Sequence, residues 1–91
     1  MAIAVLFSPV SMNATQYDEC IKQLEQAGAG RPSGRLHHVC YGDTDNLHVF
    51  DVFDSMESFE KFGQTLMPIL QAIGIDAGPP VIQEIHNTIK G

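Results

Sequence analysis

The sequence predicts an α+β domain of order strand, helix, strand, strand, helix, strand. The four strands form one antiparallel sheet and both helices lie on one of its faces. Three observations predict this. Four short runs rich in β-branched and apolar residues are separated by turn formers. Two longer stretches repeat apolar residues at helical spacing, one after the first run and one after the third. The second and third runs are joined by Gly42-Asp-Thr-Asp-Asn46 alone, a length suited to a hairpin.

The first run, Ala2 to Phe7, is closed by Ser8 and Pro9 and reads as a strand. Asn13 followed by Gln16 has the spacing of a capping box. Ala14, Tyr17, Ile21 and Leu24 then mark one helix face, with Cys20 beside them, until Gly28 and Gly30 end it. Residues 29–34 turn the chain. Arg35 to Tyr41 and Leu47 to Phe53 are the hairpin strands. Asp54 or Ser55 caps the second helix, with Glu57 as the capping-box partner of Asp54. Its apolar stripe is Phe59, Phe62, Leu66, Ile69, Leu70 and Ile73. Pro68 sits inside that stripe and removes one helical hydrogen bond, so a kink or a restart is expected there. Gly74 stops the helix, Asp76 to Pro80 turns the chain, and Val81 to Ile89 is the last strand. Residues 1–91 thus read as a single domain.

A strand with one wet face alternates apolar and polar residues. These strands do not alternate cleanly. The first has Ile3, Val5 and Phe7 on one side and Ala2, Ala4 and Leu6 on the other. The third has Leu47, Val49 and Phe53 on one side and Phe50 and Val52 on the other. Two helices cover only one face, so the second face exposes large apolar side chains. Pairing two copies face to face would hide them. At about 25 cal/mol per Å², burying a few hundred apolar Å² adds several kcal/mol, comparable with the whole stability of a small domain. The expected partner is therefore a second copy of the chain in a homodimer.

Composition removes several function classes. The net charge is −6, with only five Lys and Arg residues, and those are scattered. Neither nucleic acid nor an anionic membrane surface is an expected partner. No apolar stretch approaches the length of a membrane span. Two cysteines, Cys20 and Cys40, make no disulfide framework and read as reduced, small apolar residues in a soluble, cytoplasmic protein.

Asp51 is the most informative residue. It lies between Val49 and Phe53 in a strand core, where an unpaired carboxylate is costly. The hairpin supplies a partner: if Gly42 faces Leu47, His38 faces Asp51, and a slip of one residue brings His37 there instead. An Asp–His pair fixes the imidazole tautomer and makes a general base; it also serves as a purely structural pair for two buried polar groups. Tyr17, Phe53, Phe59 and Phe62 are candidate ligand-binding walls, with His86 on the last strand, where it shares a face with Ile82 and Glu84. The adjacent His37 and His38 point to opposite sheet faces, and no Cys-x2-Cys or His-x3-His pair exists, so no metal site is expected. No phosphate-binding glycine loop is present.

The segment Asp51-Val-Phe-Asp-Ser-Met-Glu-Ser-Phe-Glu-Lys-Phe62 resembles the strand-to-helix junction of the dimeric α/β-barrel superfamily. There an acidic residue, an aromatic two places on and a Ser cap precede a helix with paired Phe residues. The tail, with Gly74-Ile75, Gly78-Pro-Pro80 and Ile85-His-Asn87, is similar to small bacterial members related to antibiotic-biosynthesis-type monooxygenases. The resemblance implies a ferredoxin-like fold, a homodimer, and a ligand held between sheet and helices without a cofactor. The superfamily also contains heme-degrading enzymes, muconolactone isomerases and stress-induced proteins. Its heme-degrading members use an Asn on the first strand, a Trp near the end of the third and a His on the second helix. This chain has no Trp, carries Phe53 near that position, and lacks the Asn and the His, so heme degradation is not implied. Two functions are expected: a homodimer binding a small apolar or aromatic molecule, or a cofactor-independent monooxygenase or isomerase using the Asp–His pair.

Overall fold

Four strands and two helices occur in the predicted order: β1 (Ile3–Phe7), α1 (Ala14–Gln26), β2 (Arg35–Asp43), β3 (Asn46–Phe53), α2 (Met56–Ile73) and β4 (Val81–Glu84). The computed structural model describes residues 1–91. The sheet order is β2-β3-β1-β4 and every pairing is antiparallel. The two strands apolar on both sides, β1 and β3, take the centre. The more polar β2 and β4 take the edges, where unpaired backbone meets water.

Alternation sends Ile3, Val5, Phe7, Leu47, Val49, Asp51 and Phe53 to one face, and all are buried there. Cys20 and Leu24 of α1 and Phe62, Leu66 and Leu70 of α2 close over them. Phe53, fully buried, is ringed edge-on by Phe59 at 5.4 Å, with Phe62 at 5.8 Å. The opposite face carries Leu6, Val39, Tyr41, Phe50 and Val81 with no element over it. Val39 is 50% exposed, Tyr41 45%, Phe50 37% and Val81 55%.

The helix ends follow local chemistry. Asn13 accepts from the Gln16 N–H at 2.8 Å while the Gln16 side chain accepts from the Asn13 N–H at 3.0 Å, so the capping box forms as expected. Ser55 caps α2 by accepting from the Ser58 N–H at 3.1 Å. Asp54 is not the cap and forms no box with Glu57; it accepts instead from the Ser58 and Ser55 hydroxyls. Gly74, at φ 88°, ends α2 in the left-handed region. No restart occurs at Pro68, because α2 is one helix from Met56 to Ile73. Pro68 and Gln64 are both exposed, so water reaches the carbonyl that lost its donor.

The last strand is shorter than expected. It ends at Glu84, and after the Ile85 N–H donates to the Ala2 carbonyl the chain leaves the sheet. Its neighbour β1 begins at Ile3, so residues beyond 85 have no backbone to pair with. The loop from β1 to α1 is tied down at both sides. The Val10 N–H donates to the Asp76 carbonyl, the Leu47 N–H to the Met12 carbonyl, and the Ala14 N–H to the Thr44 carbonyl. Met12 is thereby buried against one end of the core.

Candidate functional site

The site begins with the parity of β3. Because Val49 and Phe53 face the helices, Asp51 must face them too, and it is 2% exposed. The hairpin adopts the register with Gly42 opposite Leu47 and His38 opposite Asp51. His38 Nδ1 lies 2.5 Å from Asp51 Oδ1. The other ring nitrogen, Nε2, lies 2.7 Å from the Tyr17 hydroxyl on α1. The Tyr17 and His38 rings are nearly parallel, 6° apart, with centroids 6.0 Å apart. Three elements thus build one hydrogen-bonded chain: Tyr17, His38, Asp51.

Its polarity follows from what each group can do. A carboxylate only accepts, so Nδ1 carries the proton toward Asp51. Nε2 of the neutral ring is then the acceptor, and the Tyr17 O–H donates to it. Burial pushes the Tyr17 phenol up from 10.0 to about 12; the Asp51 carboxylate and, once ionised at alkaline pH, Cys40 add to the effect, and the Arg35 cation opposes it. Tyr17 therefore keeps its proton at neutral pH. Burial also pushes the Cys20 and Cys40 thiols up, which keeps them as thiols and not as nucleophilic thiolates.

Tyr17, His38 and Asp51 form one wall of a cavity of about 50 Å³ between sheet and helices. The remaining walls are mainly apolar and include Phe7, Met12, Ile21, Val49, Leu66 and Ile75. An apolar cavity near 150 Å³ is what benzene requires. The space as it stands takes a few small atoms, and a ring enters only if wall side chains move. Arg35 also lines it. Its Nη2 donates to the Gly30 carbonyl at 3.0 Å, and its guanidinium lies 5.7 Å from the centre of the Phe62 ring.

The sequence-predicted residues divide. Asp51, His38, Tyr17 and Phe62 meet at the cavity. His37 does not: it lies opposite Val52 on the other face and is exposed. Phe53 and Phe59 stack behind the wall as core, in contact with Phe62 and Phe7 but not with the space itself. His86 lies beyond the end of β4, exposed, and away from the cavity. No three His, Cys, Asp or Glu side chains converge.

Arg35 was missed for a definite reason. Two residues, Leu36 and His37, stand between it and His38, so simple alternation puts the two on opposite faces. A β-bulge between Arg35 and His37 inserts one extra residue, and Arg35 pairs with Phe53 on the same face as His38.

No protein-family model matches the chain, and no curated protein sequence matches it. Solved structures do match in shape. A candidate antibiotic biosynthesis monooxygenase from Chloroflexus aurantiacus superposes with a TM-score of 0.69 at 16% identity, over 99% of this chain and 98% of that one. SnoaB, a cofactor-independent oxygenase from Streptomyces nogalater, gives 0.64 at 10% identity over 99% and 96%. A candidate antibiotic biosynthesis monooxygenase from Caulobacter crescentus gives 0.60 at 18% identity over 97% and 91%. At such identities the likeness is one of fold, and the chain has the ferredoxin-like βαββαβ architecture of these structures.

Proposed function

We propose that this protein is a homodimeric proton-transfer enzyme acting on a small, weakly acidic apolar or aromatic compound between its sheet and helices. The observation that carries the reading is the chain Asp51–His38–Tyr17 at the wall of an apolar cavity. A buried carboxylate aligned on an imidazole, itself aligned on a phenol, is the arrangement of a general base with its orienting partner. The substrate's acidic proton passes to the Tyr17 oxygen as the Tyr17 proton passes to His38 Nε2. Asp51 stabilises the imidazolium that forms. Returning the proton elsewhere on the substrate is an isomerisation. An electron-rich substrate anion is also what a cofactor-independent oxygenation needs, since the electrons for dioxygen then come from the substrate itself. The fold likeness to SnoaB, an oxygenase of that kind, supports this branch by analogy alone.

Asp51→Asn tests the proposal. It keeps the shape of the side chain and removes the charge, and turnover of a phenolic or enolic substrate should fall by about 100-fold or more with the fold retained. Unchanged turnover removes Asp51 from the mechanism. One observation favours a second reading, a binding protein without catalysis: the cavity is smaller than a ring. In that case the chain of hydrogen bonds satisfies three half-buried or buried polar groups and does no more, and Asp51→Asn changes stability but no rate.

The homodimer forms through the open sheet face, where Leu6, Val39, Phe50 and Val81 lie together and have no cover within one copy. Light scattering should give twice 10.0 kDa. A particle of 10.0 kDa at micromolar concentration would overturn it.

A further inference from the structure

The cavity of about 50 Å³ reaches the size that benzene needs, about 150 Å³, only if a wall gives way. The walls differ in what holds them. Val49 and Asp51 belong to a strand paired on both sides. Tyr17, Cys20, Phe62 and Leu66 stand inside continuous helices. Ile75 and Ala77 have neither support. They lie on the connection from α2 to β4, yet both are buried and line the cavity.

This connection is built as a flap. The segment Ile75-Asp76-Ala77 stands between Gly74 and Gly78, at φ 88° and 65°, so a residue with wide backbone freedom marks each end. Ile75 and Ala77 point inward, while Asp76 between them is exposed. Two backbone hydrogen bonds tie the segment to its surroundings. The Ile75 N–H donates to the Leu70 carbonyl at 2.9 Å, within the end of α2, and the Val10 N–H donates to the Asp76 carbonyl at 3.0 Å. The second is an isolated bridge outside the sheet, and it is the backbone tie that crosses to the β1–α1 loop. That loop supplies Pro9 and Met12 to the same cavity. Beside Val10, Ser11 stands at φ 57°, a left-handed conformation that a serine keeps only where its surroundings impose it, so the closed bridge has backbone strain at its side.

We infer that Ile75-Asp76-Ala77 is a flap latched by the Val10–Asp76 hydrogen bond, and that its outward swing makes room for a ring in the cavity. With the latch closed, the Ile75 and Ala77 side chains fill one end of the space. With it broken, both withdraw, while Tyr17, His38 and Asp51 keep their places on helix and strands. The swing gives up one backbone hydrogen bond between segments and exposes one Ile and one Ala side chain, far less than the opening of a strand or helix. The inference deepens the proposed ligand site and rests on it, but its test involves no turnover.

The probe is benzene, titrated and followed by NMR at Ile21 and Val49 of the cavity wall. Val10 and Asp76 are antiparallel bridge partners, whose Cα atoms stand about 4.5–5.5 Å apart, within the span of a disulfide. Val10→Cys combined with Asp76→Cys therefore locks the latch on oxidation, and Cys20 and Cys40 remaining as the free thiols confirm the bond. The oxidised form should bind benzene at least about tenfold more weakly than the reduced form, which carries the same substitutions. Adding Ile75→Ala to the locked chain should restore binding, because the wall that had to move is then gone. Equal affinity in the oxidised and reduced forms overturns the inference, as does benzene that binds neither. If the double variant does not fold or cross-link, Ile75→Ala alone decides: it should bind benzene at least about tenfold more tightly than the parent, and unchanged affinity overturns the inference. Latch-dependent benzene binding with no loss of turnover in Asp51→Asn would sink the proton-transfer reading and leave this one standing; the reverse pattern sinks this one only.

Discussion

The two faces of β3 invert the usual relation between polarity and water. The face turned to the helices carries Leu47, Val49, Asp51 and Phe53, and the polar member of that set is almost wholly buried. The face turned outward carries His48, Phe50 and Val52, and there an aromatic ring stands 37% exposed. A charge in the dry layer is tolerated only with a partner, and the hairpin supplies His38. An apolar ring in the wet layer is tolerated best with a cover, and nothing within one copy supplies it. The same strand therefore points to a site on one side and to association on the other.

Breaking the dry side should have the largest effect. Phe53→Ala empties the middle of the aromatic cluster and should destabilise the fold by about 3–5 kcal/mol, read as a lower denaturant midpoint. Next, His38→Leu leaves Asp51 buried without its partner and should cost about 3 kcal/mol. A milder loss in Asp51→Asn than in His38→Leu would show that the charge, not the volume, sets the penalty. On the wet side, Phe50→Lys should alter the unfolding free energy of the isolated chain by no more than about 0.5 kcal/mol while abolishing the dimer. A monomer destabilised as strongly as Phe53→Ala would erase the distinction between the faces.

Smaller effects sharpen the picture. The Tyr17 phenol is pushed up to about 12 from 10.0, mainly by burial. The unfolded chain ionises first, so the contribution of Tyr17 is complete below pH 10.0 and is lost as pH rises toward about 12. Alkaline unfolding followed by circular dichroism should show this decline, and Tyr17→Phe should flatten it. At the exposed start of α2 the sign reverses. Hydrogen bonds from Ser58 and Ser55 hold the Asp54 carboxyl below its ordinary 3.8, so that contribution is present above pH 3.8 and disappears as pH falls through the lowered value. Ser58→Ala should weaken this slight acid-side dependence, the Ser55 hydroxyl holding what remains, and leave the cavity untouched.

The site was partly legible beforehand. Asp51 stands out because a carboxylate breaks an apolar run, and the turn length limits its partner to His38 or His37. Tyr17 was legible as a residue of the helical stripe but not as a member of the hydrogen-bonded chain. Nothing local announces that α1 crosses the sheet where its hydroxyl reaches His38 Nε2. His86 and the stretch beyond Glu84 looked like strand because Val81 to Ile89 has suitable residues, yet β1 offers no partner there.

Periodicity, caps and breakers act over a few residues, so the amino-acid order by itself determined the six elements, the capping box at Asn13, the stop at Gly74 and the double-sided apolar sheet. Tertiary structure alone decided which histidine meets Asp51, that a bulge brings Arg35 to the same face, that Phe53 and Phe59 are core and not wall, and how small the cavity is. Those outcomes depend on strand register and on where helices land, and both are set by contacts between residues far apart in the chain.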